Sequence, residues 1–257
     1  MRQEWEKGCN FAYQSRLMPK ASVSLLAALL TLCSCATQYD IAGNSSLDDV
    51  DGHMLYLRVA GSGMDRGECS IDSCKVVHGR FRFGGVVDSI VLAQVFVGND
   101  AMLPVVIEDG ELQISMGLAG PTVEGGQLNK RLYDFLKKLD RLQNELWEAE
   151  NACIRAIRND KSHFAEARER LKKRSAKLNR QIEEAEIDFV TDNFNNALGP
   201  GYYIMLCNRQ LFPTMTEQLR RIADRAPRSF FSNPYINSYL QAAGYSPAKT
   251  RRRGAKR

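Results

Sequence analysis

Two hydrophobic periods divide the chain. From Tyr39 to about Gly126, apolar and polar positions alternate in short runs punctuated by Gly, Asp and Asn, as in strands that bury one face. Tyr39 to Gly43 opens the series, Met54 to Val59 follows the Asp51-Gly52 turn, and Gly61-Ser62-Gly63 closes that strand. Ser70 to Val77 and Arg80 to Phe83 flank His78-Gly79 as a tight hairpin. Val105 to Ile107 and Leu112 to Ile114 flank Asp109-Gly110 as a second,. In Arg80-Phe81-Arg82-Phe83 the period of two places both rings on one face, predicted to be the core, and both arginines on the other,. With the mostly apolar run Ile90 to Val97, this spacing predicts an antiparallel β-sandwich over residues 35–126,.

After Gly126 the period lengthens to about 3.5. Leu128, Leu132, Phe135, Leu139, Leu142, Leu146, Ala149 and Cys153 form one stripe of a long helix, interrupted at Asn159-Asp160-Lys161-Ser162. A second helix from Phe164 to Asn193 carries Phe164, Ala167, Leu171, Leu178, Ile182, Ala185 and Phe189 on one face. Two amphipathic helices with a short polar break predict an antiparallel helical hairpin over 127–193. Its Leu and Phe positions, together with Trp147, are read as the core of the pair. Glu166 with Arg170 and Glu169 with Lys173 add i,i+4 pairs worth about 0.2–0.5 kcal/mol each,. Gly199-Pro200-Gly201 is read as ending the hairpin. Short helices are then predicted from Tyr202, over Met215 to Ala223, and over Pro234 to Ala243 behind Ser232-Asn233, within a segment 194–243,. The fold class is therefore α+β: an N-terminal antiparallel β-sandwich, a long helical hairpin and short C-terminal helices.

Ahead of all this lies Ala21 to Leu32, an apolar run too short for the roughly 20 residues of a spanning helix but suited to a secretory signal,. Arg16 and Lys20 flank it with positive charge, and Leu32-Cys33-Ser34-Cys35 matches the pattern cut by lipoprotein signal peptidases. Residues 1–34 are read as a signal peptide, with Met18 an alternative start. Cys35 is the lipidation site, because its thiol receives the diacylglycerol. Acyl chains contribute about 0.8 kcal/mol per buried CH₂ and hold such a protein on a membrane. Ala36-Thr37-Gln38 lacks the acidic run associated with surface export, so the expected location is the outer membrane facing the periplasm.

The formal net charge of +5 misrepresents the folded body. Lys249, Arg251, Arg252, Arg253, Lys256 and Arg257 crowd into the last nine residues; without them and the signal segment the remainder is mildly acidic. The basic excess thus reports a tail, 244–257, expected to be disordered and to contact anionic lipid, and it excludes a nucleic-acid surface. Of seven cysteines, Cys35, Cys69, Cys74, Cys153 and Cys207 would survive cleavage. On a straight strand Cys69 and Cys74 fall on opposite faces roughly 16 Å apart, beyond the roughly 7 Å needed for bridging. Cys153 and Cys207 lie in apolar helical contexts where a bridge is open but unforced.

No constellation points to catalysis, a cofactor or a metal. His53, His78 and His163 are scattered, with no i,i+3 or i,i+4 partner among them,. Cys69 to Cys74 is not a redox Cys-x-x-Cys pair. Ser62 lacks the surroundings of a nucleophile elbow. Asp72-Ser73 reads as a strand-edge pair, and Glu108-Asp109 as solvated carboxylates on a hairpin tip.

Several of these segments, in order, resemble one family. They are Tyr39-Asp40-Ile41-Ala42-Gly43, Asp51-Gly52 before Leu55-Tyr56-Leu57, Ile71-Asp72-Ser73, Gly79-Arg80-Phe81-Arg82-Phe83-Gly84-Gly85, Val106-Ile107-Glu108-Asp109-Gly110 and Val123-Glu124-Gly125-Gly126-Gln127-Leu128-Asn129. Over Tyr39 to Phe135 the chain is similar to the N-terminal domain of unknown function numbered 4369. The resemblance implies an envelope lipoprotein of Gram-negative anaerobes, in whose relatives a helical segment and a thioredoxin-like domain follow. Here the chain stops at Gly244-Tyr245-Ser246-Pro247, about where that domain would begin, so its chemistry is not carried over. The expected function is that of a non-enzymatic, lipid-anchored binding or structural module with an envelope protein partner. The alternative is an accessory partner of a thioredoxin-like thiol-disulfide oxidoreductase system.

Overall fold

The computed structural model describes residues 37–60, 68–159 and 164–246. The signal segment, Cys35, Ser62, His163 and the basic residues of the tail lie outside the described residues. Among the described residues, eight strands form two four-stranded sheets. One has the order β4 (Arg80–Val87), β1 (Thr37–Ser45), β7 (Gly110–Met116), β8 (Thr122–Glu124). The other runs β3 (Glu68–Lys75), β2 (Met54–Ala60), β5 (Val91–Val97), β6 (Asp100–Ile107). Ile41, Phe83, Leu112 and Ile114 from the first sheet and Leu55, Leu57, Val95 and Val105 from the second are all buried. Phe81 and Phe83 point inward while Arg80 and Arg82 do not, as the alternation predicts.

The two expected hairpins are not hairpins. Val77 and Arg80 exchange backbone hydrogen bonds around His78-Gly79, both at positive φ, but β3 and β4 then enter different sheets. The Asp109-Gly110 turn likewise carries the chain from β6 in one sheet to β7 in the other. A turn that bridges two facing sheets uses the same residues and alternation as one that folds a strand back on its neighbour. What differs is the competition for edges: β4 finds an antiparallel ladder of eight pairs on β1, and β3 finds one of seven on β2. Crossing between sheets also lets β7 return parallel to β1, an exception within the otherwise antiparallel sandwich,.

In β3 the register with β2 shifts between Leu57 and Arg58, leaving Ile71 as the extra residue of a bulge,. Cys69 therefore pairs with Val59 and Cys74 with Leu55, residues that share a face of β2, so the two cysteines are not on opposite faces as a straight strand requires. All four described cysteines are free thiols.

Helices add a third layer. The hairpin consists of α1 (Gln127–Asn159) and α2 (Phe164–Asp192), followed by α3 (Leu198–Asn208), α4 (Glu217–Ala223), a 3₁₀ turn (Arg228–Ser232) and α5 (Pro234–Ala242). Thr216 caps α4 through Leu219 N–H, and Asn233 caps α5 through the N–H groups of Tyr235 and Ile236,. The hairpin is anchored where Phe135 and Phe189 stack at 3.9 Å with Tyr202 edge-on to both,. Glu166 and Arg170, and Glu169 and Lys173, form the expected pairs. Trp147 is 60% exposed and Phe164 46%, so neither belongs to the core as read from the stripe. Position 147 lies about 100° around the helix from Leu146, outside the packed face.

Gly199-Pro200-Gly201 does not break the helical region but lies in the first turns of α3. Pro200 occupies an early turn where its missing N–H costs nothing, and a side chain at Gly201 would meet Leu92 Cβ at 2.5 Å. These residues let α3 sit directly on β5. At the other end, Tyr245 docks against the body, its hydroxyl donating to Asp224 at 2.7 Å and its N–H to Leu240 O at 2.8 Å.

Candidate cleft between the sheet and the third helix

The junction of strands and helices is built by Glu108, just after β6, and by Gly126, Asn129 and Tyr133 at the start of α1. Glu108, expected to be a solvated turn carboxylate, is buried and accepts from Asn129 N–H and Asn129 Nδ2, both at 3.0 Å. It thereby satisfies amide groups that the first turn of α1 leaves without partners, and its charge faces the positive end of the helix dipole. The approach depends on Gly126, at φ +70°, where a Cβ would lie 2.1 Å from Glu108 Oε1,. Asn129, fully buried, also donates from Nδ2 to Val106 O and accepts Val106 N–H at Oδ1, both at 2.8 Å. Its amide imitates a neighbouring peptide and extends the β6 hydrogen-bond pattern into the helix. Tyr133 adds a bond from its hydroxyl to Pro104 O at 3.0 Å.

Asp72 is likewise structural. Its Oδ2 accepts from Tyr39 OH at 3.4 Å and Gly84 N–H at 3.0 Å, joining β3 to β1 and β4 on the open side of the sandwich. Burial, with Asp72 alongside, pushes the Tyr39 phenol up to about 12. On the outer face of the first sheet, Arg82 grips Asp40 through two nitrogens and holds its carboxyl below the ordinary range.

Where α3 leaves the outer face of the second sheet partly uncovered, a cleft of about 280 Å³ opens. One wall is Arg58, Gln94 and Phe96 of β2 and β5; the other is Ile204, Met205 and Asn208 of α3, with Asn233 at one end. The Arg58 guanidinium carbon lies 5.0 Å from the Tyr56 ring centre and 4.8 Å from that of Phe96, and Nη2 donates to Gly98 O at 2.9 Å. These contacts fix the guanidinium against the sheet. Apolar walls crossed by amides and one fixed cation are the composition of a ligand cleft, and no nucleophile and base are set against each other in it.

The candidates considered from the sequence do not assemble here. His53 and His78 sit at separate turns. Among the described residues no group of three His, Cys, Asp or Glu side chains is placed to hold a metal, and no helix is long and apolar enough to cross a membrane. The sequence reading missed Arg58, Gln94 and Asn208. Their one signal, a shared outward phase of Tyr56 with Arg58 and of Gln94 with Phe96, gains meaning only once β2 and β5 are known to be neighbours.

Of the described cysteines, Cys69 is exposed, Cys74 half-buried, and Cys153 and Cys207 buried. Burial pushes Cys74 up to about 11 and Cys207 further, and a thiol reacts as its thiolate. In the native full chain near pH 8, below the ordinary thiol value of about 8.5, Cys69→Ser is expected to remove one rapidly modified thiol as measured with an aromatic disulfide reagent. Cys207→Ser should leave the fast phase unchanged. A fast phase that shrinks in Cys207→Ser would show that the α3 core opens readily.

A two-sheet sandwich with helices stacked on one outer face defines an α+β module with a cleft at the seam. Its N-terminal part, residues 39–132, matches the family described as Domain of unknown function (DUF4369). The matched segment ends just beyond Asn129, and so includes the joint with Glu108 and Gly126. No curated protein and no solved structure matches the chain significantly.

Proposed function

We propose that the protein is a non-enzymatic, lipid-anchored module of a bacterial envelope, held by Cys35 and binding a partner through the cleft between β5 and α3. The observation that carries this reading is the cleft itself, built jointly by the family domain and the helices that follow it. A joint stapled by Asn129 and Glu108 keeps its walls in fixed relation, and preorganised walls lower the entropic cost of binding. The anchor rests on Leu32-Cys33-Ser34-Cys35 behind a short apolar run,. Facing the periplasm, the cleft would meet envelope proteins.

The test is made in cells. With labelled fatty acid supplied, the wild-type chain is expected to carry label and sediment with membranes, whereas Cys35→Ala carries none and is soluble or unprocessed. Protease added to intact cells should leave the wild type uncut. Labelling of Cys35→Ala at the wild-type level would overturn the anchor. For the cleft, Gln94→Trp, an outward-facing change, should abolish cross-linking to envelope partners without altering membrane attachment. Cross-linking unchanged by that substitution would overturn the cleft as the binding surface.

A further inference from the structure

A second concavity lies on the opposite arm of the molecule's helical layer. Between α1 and α2 a groove of about 600 Å³ is lined by Lys138 of α1 and by Lys173, Lys177 and Arg180 of α2. All four side chains are exposed. The three on α2 stand at i, i+4 and i+7, one face of the helix, and Lys138 faces them from the neighbouring helix. Like charges at such spacings repel one another.

The groove's own two acids offset its four cations only in part. Glu184 is held by Arg221 through two contacts of 2.7 Å, which lower its carboxyl below the ordinary range. Asp188 is the other acid on the lining. Lys173 has a distant partner in Glu169 at 3.6 Å, while Lys138, Lys177 and Arg180 enter none of the ion pairs among the described residues. Beneath the charges the floor is apolar: Leu142, Ala176 and Ala185, extended by the methylene stems of the lysines,.

We infer that this groove binds the phosphate groups of an anionic amphiphile, with the cations on phosphate oxygens and the Leu142 floor against the adjoining hydrocarbon. Several cations converging on one site call for a compact group of more than one negative charge, which phosphate supplies and a single carboxylate does not. Lysine serves phosphate as a point charge, and arginine as a fork. A groove of this volume is larger than phosphate alone requires, and its apolar floor would be wasted on a fully hydrated ion. The inference does not depend on Cys35 or on the cleft at β5.

The test uses the full chain in two assays: calorimetric titration with inorganic pyrophosphate, and flotation with phosphatidylcholine vesicles with and without phosphatidic acid. Vesicles without phosphatidic acid read any contribution of the N-terminal segment. Binding to either phosphate source is expected to weaken about tenfold or more in Lys177→Glu/Arg180→Glu, and less in Lys177→Gln/Arg180→Gln, which adds no new charge. Circular dichroism should show both pairs folded, since both positions face solvent. A tail variant, Arg251→Gln/Arg252→Gln/Arg253→Gln, should keep the groove-dependent part. Groove-dependent binding of phosphatidic acid, with or without pyrophosphate, supports the inference; groove-dependent binding of pyrophosphate with none of phosphatidic acid assigns the site to a soluble phosphate and overturns the amphiphile. Absence of binding to both, binding indifferent to the groove substitutions, or binding lost only with the tail overturns it.

Discussion

Asn129→Ala is expected to destabilise the fold by about 3–5 kcal/mol, lowering the melting temperature by about 10 °C. The asparagine is fully buried and makes four hydrogen bonds, two of them to the N–H and C=O of Val106 and two to Glu108. Truncation leaves the backbone bond from Asn129 N–H in place but removes the other three. An unsatisfied buried polar group costs about 1–3 kcal/mol, and here Val106 N–H, Val106 C=O and part of Glu108 would be stranded in a site too closed for water to follow readily. Asn129→Asp keeps the shape but loses the donor to Glu108 and sets a second carboxylate against it, so it should be at least as harmful. Thermal and urea unfolding of the full chain measure both. A loss under about 1 kcal/mol for Asn129→Ala would mean that water or a shifted α1 replaces the asparagine amide, and that the joint is not rigid.

The strands and helices were legible in the sequence wherever one face alone is buried. Phe81 and Phe83 against Arg80 and Arg82 is such a case, as is the stripe from Leu132 to Leu139. Legibility fails where a segment's surroundings come from distant residues. His78-Gly79 and Asp109-Gly110 prescribe a reversal of direction but not whether the next strand pairs with its predecessor or faces it across the core; that choice is made by β1, 30 or more residues away in sequence. The leucine stripe around Trp147 suggests a core position for it, yet the helical angle sets it outside,.

The site was less legible for the same reason. Glu108-Asp109-Gly110 has the composition of a solvated turn, and Asp109 behaves accordingly, accepting Gln38 N–H on an exposed edge. Glu108 is buried because α1 begins against it, and the clue was Gly125-Gly126 some 18 residues on: a glycine pair ahead of a helix signals close approach of another chain segment as readily as a flexible link,. In α3, Gly199-Pro200-Gly201 has the composition of a helix breaker, yet its small size and early position serve the contact with Leu92.

The helical layer has a comparable keystone in Glu186, whose side chain is 4% exposed. Its Oε1 accepts from Tyr202 OH at 3.0 Å and Arg209 Nη1 at 2.7 Å, and its Oε2 from Gln218 Nε2 at 2.7 Å, tying α2 to α3 and α4. Burial and the neighbouring carboxylate raise the Tyr202 phenol well above its ordinary value, so it stays a donor throughout the neutral range. Glu186→Ala removes the common acceptor and strands the buried Tyr202 hydroxyl and the half-buried Gln218 amide. Breaking a buried pair typically costs about 3–5 kcal/mol, but the Arg209 side chain is 51% exposed and water can recover part of its charge,. The expected loss is therefore about 3 kcal/mol. Glu186→Gln keeps an acceptor for Tyr202 or Arg209 and should lose less. If the network specifies geometry more than it stabilises, Glu186→Leu with Arg209→Met should recover much of the loss, since well-packed apolar replacements of buried pairs are often neutral. A double-mutant cycle by urea unfolding measures this coupling. A cycle giving no interaction between the two positions, or a Glu186→Ala protein as stable as the wild type, would show that the Phe135, Phe189 and Tyr202 ring cluster alone holds α3 on the hairpin.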